Sequence, residues 1–215
     1  MKKTSQTVLP FITAAVLSST ALADSYYFKG GLSAGSPNQQ GVSDNPTLGF
    51  DFDNGLGFQV AAGKNFSSSF SGEIELSHQS FDFGGVYDNG ALEYTASSGD
   101  LTYTTLMLNA IYNPFSSNES AYLNPFIGVG AGISRVSWNN AQIVRGSATV
   151  DDSSNVAAVQ IFIGNQFKLK NNWVVDLEYK YFKTKDFDLE NSLGNPATIT
   201  DSKVSSVVLS IGKKF

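Results

Sequence analysis

No cysteine occurs in the 215 residues. That absence excludes disulfides, thiolate metal sites and a thiol nucleophile. Histidine occurs once, as His78, so any imidazole chemistry rests on that residue alone. After residue 23 no run of about 18 apolar residues exists, which excludes a transmembrane helix. Helical periodicity is almost absent beyond that point. Charged residues make up only 15% of the chain, while glycine and the aromatics are abundant, which is not the make-up of an ordinary secreted globule. Basic charge is also short. Removing Lys2 and Lys3 with the leader leaves 12 basic and 19 acidic side chains, the opposite of what a nucleic-acid binder carries. A chain with no spanning helix has one other way across a bilayer: a closed sheet that leaves no backbone group unpaired in lipid.

What is present begins with an address. MKKTSQTVLPFITAAVLSSTALA places two lysines first, then an apolar stretch from Val8 to Leu17, then Ala21-Leu22-Ala23. This is the order of a secretory signal peptide. Residues 1–23 are expected to be removed, leaving a single domain over 24–215.

That domain reads as eight alternating segments: 26–35, 55–66, 70–80, 101–115, 124–138, 155–169, 172–184 and 203–215. Each is about the length a tilted strand needs to cross the hydrocarbon. The connections alternate in length. Those over 36–54, 81–100, 139–154 and 185–202 are long, and those at 65–70, 116–120 and 170–172 are short. Eight strands, three short turns and four long loops predict an all-β, up-and-down antiparallel transmembrane barrel, with both termini on the short-turn, periplasmic side.

The two faces of the strands separate by period two. Ile74 and Leu76 oppose Glu73 and Glu75, while Val175, Leu177 and Tyr179 oppose Asp176, Glu178 and Lys180. In a small barrel the apolar face points to lipid and the polar face fills the lumen. The expected interior network is Glu73, Glu75, Asp176 and Glu178 against Lys168 and Lys180, with Lys29 as a further candidate. Charges enclosed in this way must pair and hydrogen-bond. A structural plug is one reading; a narrow gated ion path is the other. Gly128, Gly130 and Gly132 share one face and are expected to make room for bulky neighbours. A phosphate-binding loop would instead need a helix to follow. Trp173, Tyr112 and Tyr26 are expected to form an aromatic girdle at the short-turn side, and Tyr103, Phe58, Trp138 and Tyr181 one nearer the loops.

With LNPFIGVGAGIS and a last strand in which Val207, Leu209, Ile211 and Phe215 share a face, the chain resembles the OmpA-like and opacity-type family of small outer-membrane β-barrels. The resemblance spans the whole mature chain. It implies residence in a Gram-negative outer membrane, contact with its lipid and lipopolysaccharide, and recognition of the terminal strand by the barrel-assembly machinery. It departs at Lys213, where an apolar or aromatic residue is usual. It also implies a surface-exposed structural role, with the loops meeting host or environmental ligands.

Two other functions are carried by particular residues. Some eight-stranded outer-membrane barrels are lipid A deacylases with a lipid-facing His-x-Ser pair and a downstream acid. HQS offers His78 as base, Ser80 as nucleophile and Glu93 as acid, but its surroundings do not match that motif, and a non-enzymatic protein is expected. No cofactor is implied. DFDNG at 51–55 clusters oxygen ligands, yet its spacing does not match a calcium loop. It is turn chemistry first, so no metal is assigned. NES at 118–120 is read as a chance glycosylation match. The long loops hold thirteen acidic side chains, among them Asp51, Asp53, Asp82, Asp88, Asp151, Asp152, Asp186 and Asp188, against three basic ones when Lys203 at their edge is counted. Such a rim repels acidic polymers and favours cationic ligands or divalent ions. Phe50, Phe52, Phe81, Phe83, Tyr87, Tyr94 and Phe187 are expected to serve as apolar contact points among these acids.

Overall fold

The computed structural model describes residues 26–43, 45–95, 98–115, 123–142, 149–190, 196–200 and 202–215. The leader segment and NES therefore lie outside the described residues. Within them the chain is almost entirely β-structure, with a single 3-10 turn over 170–172. No described helix is long and apolar enough to cross a membrane, which says nothing of a crossing by strands.

Eight long strands form the ring. They are β1 (Tyr26–Pro37), β4 (Gly55–Asn65), β5 (Phe70–Asp88), β7 (Asp100–Tyr112), β8 (Asn124–Gln142), β9 (Thr149–Lys168), β10 (Trp173–Thr184) and β13 (Lys203–Lys214). All neighbours are antiparallel, and β5 pairs with β7 while β1 pairs with β13, so the sheet closes on itself. Paired positions traced round the ring from Tyr26 run through Lys64, Gly72, Ala110, Val129, Ile161, Tyr181 and Ser205. They return to β1 at Ser36, ten residues further along. That stagger tilts the strands and leaves an interior just wide enough for side chains to fill.

Five short strands were not foreseen in the long connections. They are β2 (Gln40–Val42), β3 (Asn45–Phe52), β6 (Ala91–Thr95), β11 (Phe187–Glu190) and β12 (Pro196–Thr200). Together with the far half of β5 they make a second sheet in the order β11-β12-β2-β3-β5, with β6 also on β5. The strands β5, β8 and β9 overrun the expected segments at 70–80, 124–138 and 155–169 to reach this sheet. The described parts of the four long connections are thus largely sheet, continuous with the barrel.

The outer wall carries the apolar belt. Leu32, Ile74, Leu108, Val129, Ile161, Leu177 and Leu209 are all exposed, while their chain neighbours face the interior. In water this surface would cost several kcal/mol per few side chains at roughly 25 cal/mol per Å². Such a wall is suited to acyl chains.

Candidate functional site

The interior divides into two layers. The layer nearer the short turns is an ionic network. Lys29 Nζ lies 2.9 Å from Glu73, and 3.4 Å from both Asp176 and Glu178. Lys180 Nζ donates to both oxygens of Glu75, at 2.7 and 2.9 Å, and to Gln59 Oε1 at 2.8 Å. Asn109 Nδ2 links the two groups by donating to Glu73 and Glu75. Gln160 Nε2 donates to Asn109 at 2.8 Å, and Gln166 Nε2 to Asp176 at 3.0 Å. All six charged members of the network are at least nine-tenths buried. Period two aims them inward because β1, β5 and β10 are each apolar on the opposite face.

One placement corrects the sequence reading, that of Lys168. Lys29, the further candidate for the inward set, sits at the centre with three carboxylates round it. Lys168 is exposed at the short-turn mouth instead of sharing the buried network. Its place on β9 is opposite Val174, near the end of the strand, where the wall no longer encloses it.

The second layer is aromatic. Trp138 packs edge-on against Phe50 and Phe52 at centroid distances of 5.0 and 5.4 Å, and lies 6.0 Å from Phe83. Tyr103 meets Phe81 and Phe182 edge-on, at centroid distances of 6.0 and 5.6 Å. Leu101, Val136, Val150, Phe187, Leu189 and Ile199 complete a single cluster. Tyr103 and Trp138 were expected in an outer girdle. They point inward and are 2% and 1% exposed, because their parity on β7 and β8 is that of Thr105 and Ser134, which face the lumen. Phe50, Phe52, Phe81, Phe83 and Phe187 likewise are core and not contact points. Tyr87 is half-buried, while nothing is described for the side chain of Tyr94. The signal that could have found this core was the count of aromatics in the long connections, too many for solvated loops.

Between the layers, the Tyr103 hydroxyl lies 2.6 Å from Ser202 Oγ and accepts from Gln40 Nε2 at 2.8 Å. Gln79 Nε2 donates to Ser33 and Ser206. A cavity of about 20 Å³ remains here, lined by Gln59, Gln79, Tyr103 and Lys180 among others. That is room for about one water molecule. A second, of about 50 Å³, lies at the short-turn mouth beside Tyr27 and Lys29. Gly128 and Gly130 fill no space themselves: a Cβ at the first would strike the Phe162 ring, and at the second Asn109 Oδ1. A Cβ at Gly132 would meet backbone of β7.

The hydrolase residues stand apart. His78 faces outward, its Nδ1 2.9 Å from Thr104 Oγ1 and its ring 5.6 Å from Phe58. Ser80 is on the same face two residues on. Glu93 lies on β6, level with Val86 and Tyr87. Eight residues of strand above His78 correspond to roughly 25 Å, so Glu93 does not reach the imidazole. Among the described residues no group of three His, Cys, Asp or Glu could hold a metal ion.

At the chain terminus Phe215 is half-exposed and meets Phe28 edge-on at 6.0 Å. Val207, Leu209 and Ile211 continue the same outward face. Lys213 lies between two rings, its Nζ 5.6 Å from the centre of Trp173 and 5.7 Å from that of Phe215. The departure at Lys213 is thus taken up by its aromatic neighbours. At the opposite end Asp53, Asp82, Asp151, Asp186 and Asp188 are exposed. Asp51, Asp88 and Asp152 are half-buried; Asp152 accepts from Ser153 N and Glu190 N, and Asp188 accepts from Thr198 Oγ1.

A closed ring of eight antiparallel strands, apolar outside and packed inside, is the geometry of a small membrane barrel. The profile of the outer membrane protein beta-barrel domain matches residues 9–215. The chain belongs to that outer-membrane family. No curated protein sequence matches it significantly. Solved barrels do match in fold. The outer membrane protein OprG of Pseudomonas aeruginosa aligns at 14% identity over 90% of this chain and 96% of its own, with a TM-score of 0.57. Neisserial surface protein A aligns at 14% over 88% and 97%, TM-score 0.55. Ail of Yersinia pestis, solved in complex with the heparin analogue sucrose octasulfate, aligns at 16% over 90% and 100%, TM-score 0.52. At these identities the likeness is one of fold. This family member differs from a bare eight-stranded ring in its second sheet and the aromatic layer beneath it.

Proposed function

We propose that this barrel is a sealed outer-membrane scaffold that presents a rigid acidic platform to external partners. Residues 1–23 act as the leader. Both termini lie in the periplasm, and the second sheet stands outside the cell. The observation that carries this reading is the aromatic layer round Trp138. A cluster of buried rings holds the connections as sheet, so the outer end is preformed and loses little entropy on binding. Its exposed carboxylates, Asp53, Asp82, Asp151, Asp186, Asp188 and Glu190, favour cationic partners or divalent ions and disfavour polyanions. In that respect the rim is unsuited to a ligand such as the heparin analogue bound to Ail. The terminal face of Val207, Leu209, Ile211 and Phe215 is what the barrel-assembly machinery would read.

The absence of cysteine makes the topology directly testable. Single Asp188→Cys and Lys170→Cys variants are treated on intact cells with a membrane-impermeant maleimide. Labelling at position 188 and none at 170 until the outer membrane is opened is the expected result. Labelling at 170 alone on intact cells would invert the orientation and remove the platform reading.

A further inference from the structure

The two ends of the barrel carry opposite charge. The short-turn end, over the described residues 26–28, 64–71, 112–115, 123–125, 166–174 and 212–215, holds Lys64, Lys168, Lys170, Lys213 and Lys214 and neither aspartate nor glutamate. The five lysines lie on one arc of the ring. Lys168 on β9 is in register with Val174 on β10, and Trp173 on β10 with Lys213 on β13. Lys214 is opposite Tyr27 on β1, and Tyr26 opposite Lys64 on β4. Lys170 sits in the turn that joins β9 to β10.

Strand parity splits this arc into two sets. Lys64 and Lys213 share the outward parity of Ala62 and Ile211, and both lie against rings. Lys64 Nζ is 5.0 Å from the centre of Tyr26, and Lys213 is the cation between Trp173 and Phe215. Lys168 and Lys214 have the inward parity of Gln166 and Gly212, so they turn to the mouth. Lys214 Nζ donates to Gln166 Oε1 at 2.7 Å, and Lys168 and Lys29 are within electrostatic reach of it. Facing Lys214 across the mouth are Asn65, Ser68, Ser69 and Asn113, and between them lies the cavity of about 50 Å³ that also borders Lys29 and Asp176. Among the described residues neither Lys170 nor Lys214 has a carboxylate within salt-bridge range, because the ion pairs found are all in the lumen.

We propose that this mouth docks an acidic peptide on the short-turn side of the membrane. One carboxylate enters the cavity at Lys214, and its neighbours along the peptide meet Lys168 and Lys170, each by charge-assisted hydrogen bonds. Two features choose the partner. The lysines turned to the mouth open onto water along the barrel axis, whereas the pair turned to the bilayer is a different one, so the mouth serves a peptide and not a lipid headgroup. The cavity has room for only a few water molecules, which admits a carboxylate and excludes a sugar ring. The acidic far end repels the same ligand, so binding is confined to one end. That this partner is periplasmic rests on the orientation proposed above.

The test is fluorescence anisotropy with the folded barrel in nanodiscs of zwitterionic lipid. Two labelled probes are titrated, hexaglutamate and hexaglutamine. The wild-type barrel is expected to bind hexaglutamate about tenfold or more tightly than hexaglutamine at low salt, with the margin shrinking as salt is added. The double variant Lys168→Gln/Lys214→Gln should lose that margin. Lys64→Gln/Lys213→Gln removes the same charge from the outer wall and should keep it. Heat-modifiable migration on gels should be unchanged in both, reporting an intact barrel. Equal binding of the two probes overturns the acidic-peptide assignment. An equal loss in the two double variants, or no loss in the first, overturns the mouth as the site. Maleimide labelling at position 170 reports orientation separately, so an inverted barrel is told apart from an empty mouth.

Discussion

Lys29 carries a disproportionate share of the interior. Among the described residues its ammonium is the one cation within salt-bridge range of Glu73, Asp176 and Glu178 together. Removing it leaves three buried carboxylates without it, and an uncompensated buried charge costs about 3–5 kcal/mol. Lys29→Met should therefore lower stability against urea in lipid vesicles by about that amount. The pair Lys180–Glu75 offers the complementary experiment. Lys180→Met alone should cost a similar amount, while Lys180→Met with Glu75→Leu should recover most of it, because replacing both partners removes the desolvation penalty with the attraction. Gly128 is a steric counterpart. Gly128→Ala should destabilise by about 1–3 kcal/mol through collision with Phe162, and Phe162→Leu in the same chain should relieve it.

At the scale of elements, alternation told the inside of each long strand from the outside. It placed Glu73, Glu75, Asp176, Glu178 and Lys180 on one side because apolar residues flank each of them. It failed for Lys168, which has the inward parity on β9 but lies so near the strand end that the wall no longer encloses it. It failed again for the second sheet. In β3 and β11 the alternating Phe, Leu and Asp were visible, but the same pattern serves a solvated loop with scattered aromatics. Only the tertiary pairing with the far half of β5 shows that these rings meet. Trp138 is the element-level test. Trp138→Ala should cost about 3–5 kcal/mol in that layer. Because β2, β3, β6, β11 and β12 depend on it while the lower ring has its own network, limited proteolysis should then cut within the second sheet and leave the ring protected. Loss of the entire barrel would mean that the two layers are one cooperative unit.

For the whole molecule, the cavities found inside the two layers among the described residues are small, about 20 and 50 Å³. Purified protein in planar bilayers should show no stable single-channel steps, and Lys29→Met should not create them unless the ring itself loosens. Stable steps in the wild type would favour the ion-path reading of the same charged residues. The central claim lies beneath that one. The apolar stripe of each strand meets acyl chains, and the opposite stripe is enclosed. Single cysteines introduced along β13 from position 205 to 211 and spin-labelled in bilayers measure it directly. Collision with lipid-dissolved oxygen should peak at 207, 209 and 211 and fall at 206, 208 and 210, with a water-soluble relaxant reaching neither set. Equal oxygen access at 208 and 210, or free access of the water-soluble relaxant to the 207, 209 and 211 face, would contradict it.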